Sequence, residues 1–397
     1  MDFDFLDQTL LNASKEAIQR FKDAIEGSKP SDKELEALGA KIRPYDHART
    51  LPADFRISAV DGSGEYPVLQ QDDIFVHFAT AAGVTYETHT NRQSKIAAID
   101  GSSPLLKQFI LLRDEKKTLS EGYREFVEHG IGLKLKDLVD GSDYCQAYSS
   151  QGKKTLSPSQ VTWSGMGFSQ ASQIASHAYL LRSTAELGMA IRLLEKQPRY
   201  LLLDTSLVYF LLGDSIFLPE IFKRYLVNQA TAQGTAVVAL CKSHNIPNGD
   251  LIGRIAKEEH GFKDHWYLRL PSSALGEPTP NFLKDKEIPP KLCVSYLFKF
   301  EATSFPMRID LDVVWWSQNL ADDPIKEARF FGDLDFTCHE VRSYGYPYPM
   351  HAAHRRASLT SQERKAVKDI LLKQAQHEGL ARGSVVQDPE AVHMGGI

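Results

Sequence analysis

Apolar residues recur at helical spacing near the start of the chain. The positions are Leu6, Leu10, Leu11, Ala17, Ile18 and Phe21. A period of this kind is typical of an amphipathic helix. Ser31, followed three residues later by Glu34, forms a capping box that predicts the start of a second helix. Because Pro and charged residues crowd the stretch that follows, we predict a separate helical segment over residues 1–50.

Beyond this segment the apolar residues form short continuous runs, which are typical of buried strands. Runs at 55–61, 74–84 and 95–99 predict antiparallel strands. A long helix at about 171–196 is predicted to lead into a strand that ends at Asp204, and a helix at about 217–231 into a strand over 236–241. Strand, helix and strand in succession favour a partly parallel sheet. The pattern therefore predicts an α/β fold with a mixed sheet flanked by helices.

The carboxyl-terminal third of the chain and the segment 103–172 complete the predicted organisation. Two more strands are expected at 294–300 and 307–312, a short helix after Pro349 and a longer helix at about 360–378. Residues 103–172 have a mixed pattern with Gly, Ser and Tyr enriched near 141–168, and we predict an insertion there. We expect one large domain over 51–397 that contains this insertion.

The composition is that of an ordinary globular protein, with 42% hydrophobic and 24% charged residues and a mean hydropathy of −0.31. No apolar stretch approaches the roughly 18 residues of a membrane span, and the acidic amino terminus does not resemble a secretory signal. We therefore predict a cytoplasmic protein without membrane contact. The cysteines are widely separated, which argues against a zinc ribbon or a disulfide framework; they are Cys145, Cys241, Cys293 and Cys338.

The formal net charge of −5 bears on whether the protein can bind nucleic acid on its own. A protein that binds duplex DNA on its own usually has a basic excess. The charge thus argues against a nuclease that works alone. It is compatible with a nuclease that receives DNA from a partner, because local basic pairs such as Arg355-Arg356 can form patches.

Two aspartates each follow an apolar run and precede small residues with hydroxyl groups. Asp61 follows the run 57–60, and Asp204 follows the run 201–203. The carboxyl ends of core strands are where open α/β sheets place their sites, and two adjacent carboxylates would form a site for a divalent metal ion. Asp also often caps the turn that follows it. The pattern alone leaves both interpretations open.

Two further charged residues are candidates for the same site. Glu186 lies on the long predicted helix and would supply a third carboxylate; the alternative is an exposed glutamate paired with a neighbouring cation. Lys242 follows the strand 236–241, where its ammonium group would meet a phosphate. Its alternative is a side chain that extends into solvent.

The segment 344–356 concentrates tyrosine, proline, histidine and arginine. Pro347 and Pro349 fix a rigid turn, and the second suits the first turn of a helix. Tyr346 lies in this turn and His354 on the helix, directly before two arginines. A lone histidine is more often structural, but this concentration favours phosphate binding or the stacking of bases.

Taken in order, these residues resemble the NurA nuclease family. The match consists of Asp61-Gly62-Ser63, Glu186, Asp204 before Ser206-Leu207, Lys242-Ser243, Tyr346-Pro347 and His354. It covers roughly residues 55–358, and the ordered set is more specific than any one motif. The chain departs from the family pattern at Thr205, where Gly is common, and in the long segment 103–172.

The resemblance implies an RNase H-like fold and a manganese- or magnesium-dependent DNA nuclease. It also implies a homodimer that works with a hexameric ATPase of the HerA class, in DNA end processing or phage defence. Phosphodiester hydrolysis benefits from two cations about 3.5–4 Å apart, and hard divalent ions prefer carboxylates. The implied metal ligands are Asp61, Glu186, Asp204 and His354, with His354 alternatively a proton carrier, and Lys242 and Tyr346 are implied as further catalytic residues. A histidine ligand would favour manganese.

Two other functions share features of this pattern. An actin-like or sugar-kinase-like ATPase also begins with a strand-end Asp before Gly and Ser, but it needs a second Gly-rich loop, which residues 204–208 do not supply. A non-catalytic adaptor of the ATPase would keep the fold alone, and the presence of every expected acidic residue argues against it. The sequence does not choose between the amino-terminal helices and the insertion as the surface that docks on the ATPase.

Overall fold

The structure, a computed structural model, divides into two compact units, one formed by Met1–Thr50 and Leu240–Phe336 and the other by Leu51–Ala239 and Thr337–Ile397. The residues that it describes are 8–27, 30–45, 54–71, 74–89, 95–98, 105–113, 116–143, 174–207, 218–242, 244, 246–247, 249–284, 286, 288–300, 305–321, 323–339, 343 and 345–380.

The strands are β1 Arg43–Pro44, β2 Arg56–Gln71, β3 Ile74–His89, β4 Lys95–Ala98, β5 Leu105–Arg113, β6 Tyr200–Leu203, β7 Ala236–Cys241, β8 Trp266–Arg269, β9 Cys293–Lys299 and β10 Met307–Asp312. The α-helices are α1 Gln8–Gly27, α2 Asp32–Gly39, α3 Lys116–Glu125, α4 Leu135–Ser142, α5 Ile174–Leu193, α6 Leu218–Ala232, α7 Gly249–Glu258, α8 Asn281–Lys284, α9 Val313–Asn319, α10 Pro324–Phe336, α11 Tyr348–Ala357 and α12 Ser361–His377.

The first unit contains an antiparallel sheet in the order β1, β8, β9, β10. Trp266 and Leu268 of β8 and Leu297 of β9 are fully buried in one cluster with Ile252 of α7, so apolar burial holds the helix on the sheet. The predicted capping box at the start of α2 is confirmed, since Ser31 and Glu34 satisfy each other's backbone N–H groups.

The second unit contains a mixed sheet in the order β7, β6, β2, β3, with β4 and β5 both paired to β3. β7, β6 and β2 run parallel, whereas β3 is antiparallel to β2, β4 and β5. All residues of β6 and β7 are buried, as expected for parallel strands that are covered on both faces. An antiparallel meander followed by two parallel strands is the predicted RNase H-like arrangement, and the predicted α/β class is confirmed.

Helices α5 and α11 pack on opposite faces of this sheet. Gly83 faces α5, because a Cβ atom there would lie 2.9 Å from the Leu193 side chain. Thr80 faces α11, since its hydroxyl donates a hydrogen bond of 2.7 Å to the carbonyl oxygen of Ala357. Side chains alternate along a strand and paired residues share a face. Asp61 therefore points to the α11 face, and Gly62 lies on the α5 face.

The predicted end of the first core strand is wrong. The first core strand does not end at Asp61, because β2 continues to Gln71. The small residues after Asp61 do not form a turn: they remain paired with β3, Gly62 opposite Ala81 and Ser63 opposite Thr80.

The segment 103–172, predicted as an insertion, begins with a strand of the main sheet. Residues 105–113 form β5, which pairs with β3 from Ile74 to Ala82, and α3 and α4 follow. Residues 144–172 lie outside the described residues. The division into a helical segment 1–50 and a domain 51–397 remains a prediction.

Two predictions from composition also have outcomes in the structure. Cys241, Cys293 and Cys338 are buried thiols rather than disulfides, and Cys145 lies outside the described residues. In the described part of the chain, no helix has both the length and the apolar character needed to cross a membrane.

Candidate active site

Asp61 and Asp204 lie side by side where two parallel strands separate. The pairing of β2 with β6 ends at Val60 opposite Leu203, so each aspartate is the next residue along its strand. Neighbouring strands are about 4.8 Å apart. Asp61 is buried, with 2% of its side chain exposed, and Asp204 is half-buried. The predicted juxtaposition at the carboxyl end of the parallel pair is therefore present, although β2 itself continues.

The carboxylate of Asp61 is held by donors from three parts of the chain. Its Oδ1 accepts a hydrogen bond of 2.9 Å from the backbone N–H of Gly62 and lies 3.5 Å from Nη2 of Arg182. Its Oδ2 lies 2.5 Å from Nδ1 of His354. A buried carboxylate needs partners of this kind to remain charged.

Glu186 reaches the same place from α5. Its Oε1 accepts hydrogen bonds from the Gly62 N–H at 3.1 Å and from Nε of Arg182 at 2.8 Å. A Cβ atom at position 62 would clash with Cγ of Glu186. Glycine at this position therefore permits the close approach of Glu186 to the backbone of β2. The sequence pattern Asp-Gly-Ser contained this signal, but it also fits a turn.

Negative charge is concentrated around Glu186. The pKa of Glu186 is raised to about 7, chiefly by burial and also by the nearby carboxylates of Asp61 and Asp204, against the opposing effect of Arg182. Asp204 is thus close enough to affect both Glu186 and Arg182 electrostatically. Three carboxylates share one small region, which is the property expected of a site for a divalent cation.

The raised pKa of Glu186 predicts how stability depends on pH. The group binds a proton more tightly in the folded protein than in the unfolded chain, where its pKa is 4.5. The metal-free protein should therefore lose up to about 3 kcal/mol of stability as the pH rises from 4 to 8. Urea unfolding of the wild type and of Glu186→Gln in a chelator tests this. The variant should lack this decrease; an equal decrease in both proteins would contradict the assignment.

His354 lies on α11 and contacts Asp61 directly. With Nδ1 donating to Oδ2 of Asp61, Nε2 faces the hydroxyl of Ser358 at 3.3 Å. The imidazole remains 61% exposed, so one edge orients Asp61 while the ring stays accessible to solvent. The short helix that was predicted after Pro349 is present but begins at Tyr348, with Pro347 as the N-cap residue and Pro349 in its first turn.

Tyr346 and Lys242 are the other two residues that were predicted to belong to the site. Tyr346 lies in the turn before α11, where its backbone N–H donates to the carbonyl oxygen of Ser343. Lys242 directly follows β7 and is exposed; it belongs to the other compact unit. The catalytic roles of Tyr346 and Lys242 remain predictions.

Sequence reasoning did not identify Arg182. Its guanidinium contacts both Asp61 and Glu186. The available signal was its spacing, because residues four apart on a helix are neighbours. The alternative interpretation of Glu186, pairing with a neighbouring cation, is thus half right: the pair exists, but the glutamate is only 14% exposed.

The carboxylate oxygens of Asp61, Glu186 and Asp204 suit a hard divalent cation. The arrangement of the side chains also shows which group balances the negative charge of these carboxylates. Within the part of the chain that the structure describes, no group of three or more His, Cys, Asp or Glu side chains is arranged to hold a metal ion. The carboxylates of Asp61 and Glu186 instead converge on Arg182. Oxygen donors of this type would accept manganese or magnesium.

Comparisons with known proteins find similarity to solved structures alone. No family model and no curated protein matches the sequence. The NurA nuclease from Sulfolobus solfataricus is 11% identical and has a TM-score of 0.48, with 94% of this chain and 98% of that chain covered. A structure of NurA with manganese is 10% identical and has a TM-score of 0.40, with coverage of 94% and 98%. A structure of NurA bound to dAMP and manganese is 11% identical and has a TM-score of 0.37, with coverage of 90% and 95%. The chain is thus similar over most of its length to structures of NurA, the family that the sequence resembles.

Proposed function

We propose that this protein is a divalent-metal-dependent DNA nuclease that hydrolyses phosphodiester bonds. The observation that carries the proposal is the convergence of Asp61 and Glu186, with Asp204 beside them, at the end of a parallel strand pair. Carboxylates gathered in this way suit hard divalent ions. The order of these residues along the chain also resembles the NurA family.

Each residue has a distinct role in this proposal. Asp61, Glu186 and Asp204 would hold manganese or magnesium, which when bound activates water and stabilises the leaving oxygen. His354 orients Asp61 through Nδ1 and offers Nε2 as the atom that takes or releases a proton. Its 61% exposure leaves room for substrate beside the ring.

DNA is the substrate class that the surface beside His354 favours. Arg355 and Arg356 follow it on α11 and are exposed. Arg364 and Lys365 are exposed on α12, the next helix. Exposed cations on the helix that carries His354 and on the helix that follows it would attract a phosphate backbone without reading its sequence. Lys242 and Tyr346 are proposed to contact the scissile phosphate.

The proposal is tested by incubating the purified protein with end-labelled linear DNA and closed circular DNA. Cleavage is expected in manganese and is expected to be absent in a chelator, because the carboxylates need the ion to act on a phosphate. Cleavage of the linear form alone would identify an exonuclease, and cleavage of both forms an endonuclease. No cleavage of either form in manganese or magnesium, with or without an ATPase partner, would contradict the proposal.

We further propose that the protein acts as a homodimer with a hexameric ATPase of the HerA class. The resemblance to NurA and the net charge of −5 support this. A negatively charged protein has little nonspecific attraction for long duplexes, and a ring-shaped translocase would deliver the strands. End processing in repair and defence against phage are both compatible with such an assembly.

The partner proposal predicts that the isolated protein has the mass of a dimer and degrades long duplexes poorly. Addition of the ATPase with ATP should increase degradation, because the motor supplies the DNA contact that the nuclease lacks. Light scattering and a degradation assay with a non-hydrolysable ATP analogue as the control measure both effects. A monomer that fully digests long duplexes without ATP would contradict the model.

A further inference from the structure

We propose that Arg182 is an internal counter-cation that competes with the divalent ion for the carboxylates of the site. This inference rests on the proposed metal-dependent function. In the metal-free protein the guanidinium keeps Asp61 and Glu186 together. When the ion binds, Arg182 gives up these carboxylates, so this residue sets the metal concentration at which the site fills.

The contacts of Arg182 are concentrated on two oxygens. Nε donates to Oε1 of Glu186 at 2.8 Å, and Nη2 lies 3.5 Å from Oδ1 of Asp61. The same two oxygens accept the backbone N–H of Gly62, at 3.1 and 2.9 Å. One neutral donor and one cation therefore hold two carboxylates close to each other. Without a cation the two carboxylates would repel one another.

The position of Arg182 allows it to leave. Its side chain is 43% exposed, whereas Asp61 is 2% and Glu186 is 14% exposed. The carboxylates are thus fixed in the interior, and the guanidinium that contacts them is partly exposed to solvent. A long, half-exposed side chain can move into water without breaking the core.

These two observations imply that Arg182 and a divalent ion compete for the same carboxylates. A divalent ion that binds Asp61 and Glu186 needs carboxylate lone pairs and the negative charge that Arg182 now balances. A guanidinium and a metal ion that contact the same carboxylates would also repel each other. A ligand that must displace an internal partner binds less tightly than it would to the vacated site. Arg182 is therefore a positioning residue that acts through Asp61 and Glu186.

The test measures manganese binding directly, without DNA. The variants are Arg182→Gln, Arg182→Lys and, as a matched control, Arg192→Gln, which removes the same charge from the same helix. Arg192 contacts the carbonyl oxygen of Ile131 rather than a carboxylate. Calorimetry of each chelator-treated protein gives the dissociation constant. Asp61→Asn, measured in parallel, shows whether the bound ion is the one at this site.

We expect Arg182→Gln to bind manganese about tenfold more tightly than the wild type, because a repelling charge has been removed. Arg182→Lys should lie between the two, since lysine keeps the charge but cannot contact two carboxylates in the same way, and Arg192→Gln should match the wild type. Thermal unfolding provides a second readout. Arg182→Gln should melt below the wild type without metal and gain more from added manganese, a difference that a purely structural role would not produce.

The possible outcomes separate the two proposals. Manganese binding by the wild type with equal or weaker binding by Arg182→Gln would overturn the role of Arg182 and leave the metal site intact. Binding of manganese by neither protein would overturn the metal site, and the counter-cation role with it. If Arg182→Gln does not fold, Arg182→Lys decides, because binding no tighter than wild type in that variant overturns the proposal.

Discussion

Asp61→Ala and Asp204→Ala should each reduce DNA cleavage by about a thousandfold or more, which corresponds to several kcal/mol of lost transition-state stabilisation. The reason is geometric. The two aspartates are adjacent where β2 and β6 separate, and each substitution removes a ligand from the proposed cation site. Cleavage of labelled DNA under single-turnover conditions in manganese gives the rate for each variant.

Asp140→Ala is the matched control for these variants. Asp140 is an exposed aspartate of α4, and its replacement should leave the cleavage rate unchanged. Circular dichroism establishes that each variant is folded. Wild-type cleavage by a folded Asp61→Ala or Asp204→Ala protein would show that the site lies elsewhere.

Glu186→Ala and His354→Ala should also weaken cleavage, by about tenfold to a hundredfold. The two residues are distinguished by raising the manganese concentration. A lost metal ligand is partly offset by mass action, whereas a lost proton carrier is not. Glu186 contacts the backbone beside Asp61, so Glu186→Ala should be rescued in part. His354 contacts the carboxylate of Asp61. Raising the manganese concentration should restore cleavage by His354→Ala only if the imidazole itself also binds the ion.

Glu195→Ala and His377→Ala serve as controls for this pair. Glu195 is exposed in the turn after α5, and His377 is 82% exposed at the end of α12. Both variants should cleave DNA like the wild type at every manganese concentration. If Glu186→Ala and His354→Ala behave in the same way as these controls, their roles are structural.

Two parallel strands of the sheet were predictable because they are apolar along their whole length. β6 and β7 are continuous apolar runs that are buried on both faces, and a sequence pattern of this kind has few other structures available to it. β5 was not predicted because apolar residues occupy its exposed positions, such as Leu111, as well as its buried ones, such as Leu112. The strand therefore lacks a clear apolar and polar alternation, and it lies within a segment of mixed composition. Its place in the sheet depends on pairing with β3, which is a long-range contact.

The candidate site was predictable in part for a similar reason. Asp61 and Asp204 each end an apolar run, so their neighbourhood follows from parallel pairing. Arg182 was not predictable in the same way, because its role depends on the Gly62 position that lets α5 approach β2. Local spacing indicates that Arg182 and Glu186 are neighbours, but not that both face a buried aspartate.

We propose that these carboxylates form a metal-dependent site that cleaves DNA. The most direct measurement determines manganese binding and DNA cleavage in the same samples of wild-type protein and Asp61→Asn, purified in parallel and treated with a chelator. Asparagine keeps the size of the side chain but removes the charge, so the fold should be preserved. The wild type is expected to bind manganese and then cleave DNA, and Asp61→Asn is expected to lose both properties. Cleavage by the wild type in the presence of the chelator, or equal cleavage by Asp61→Asn, would contradict the account.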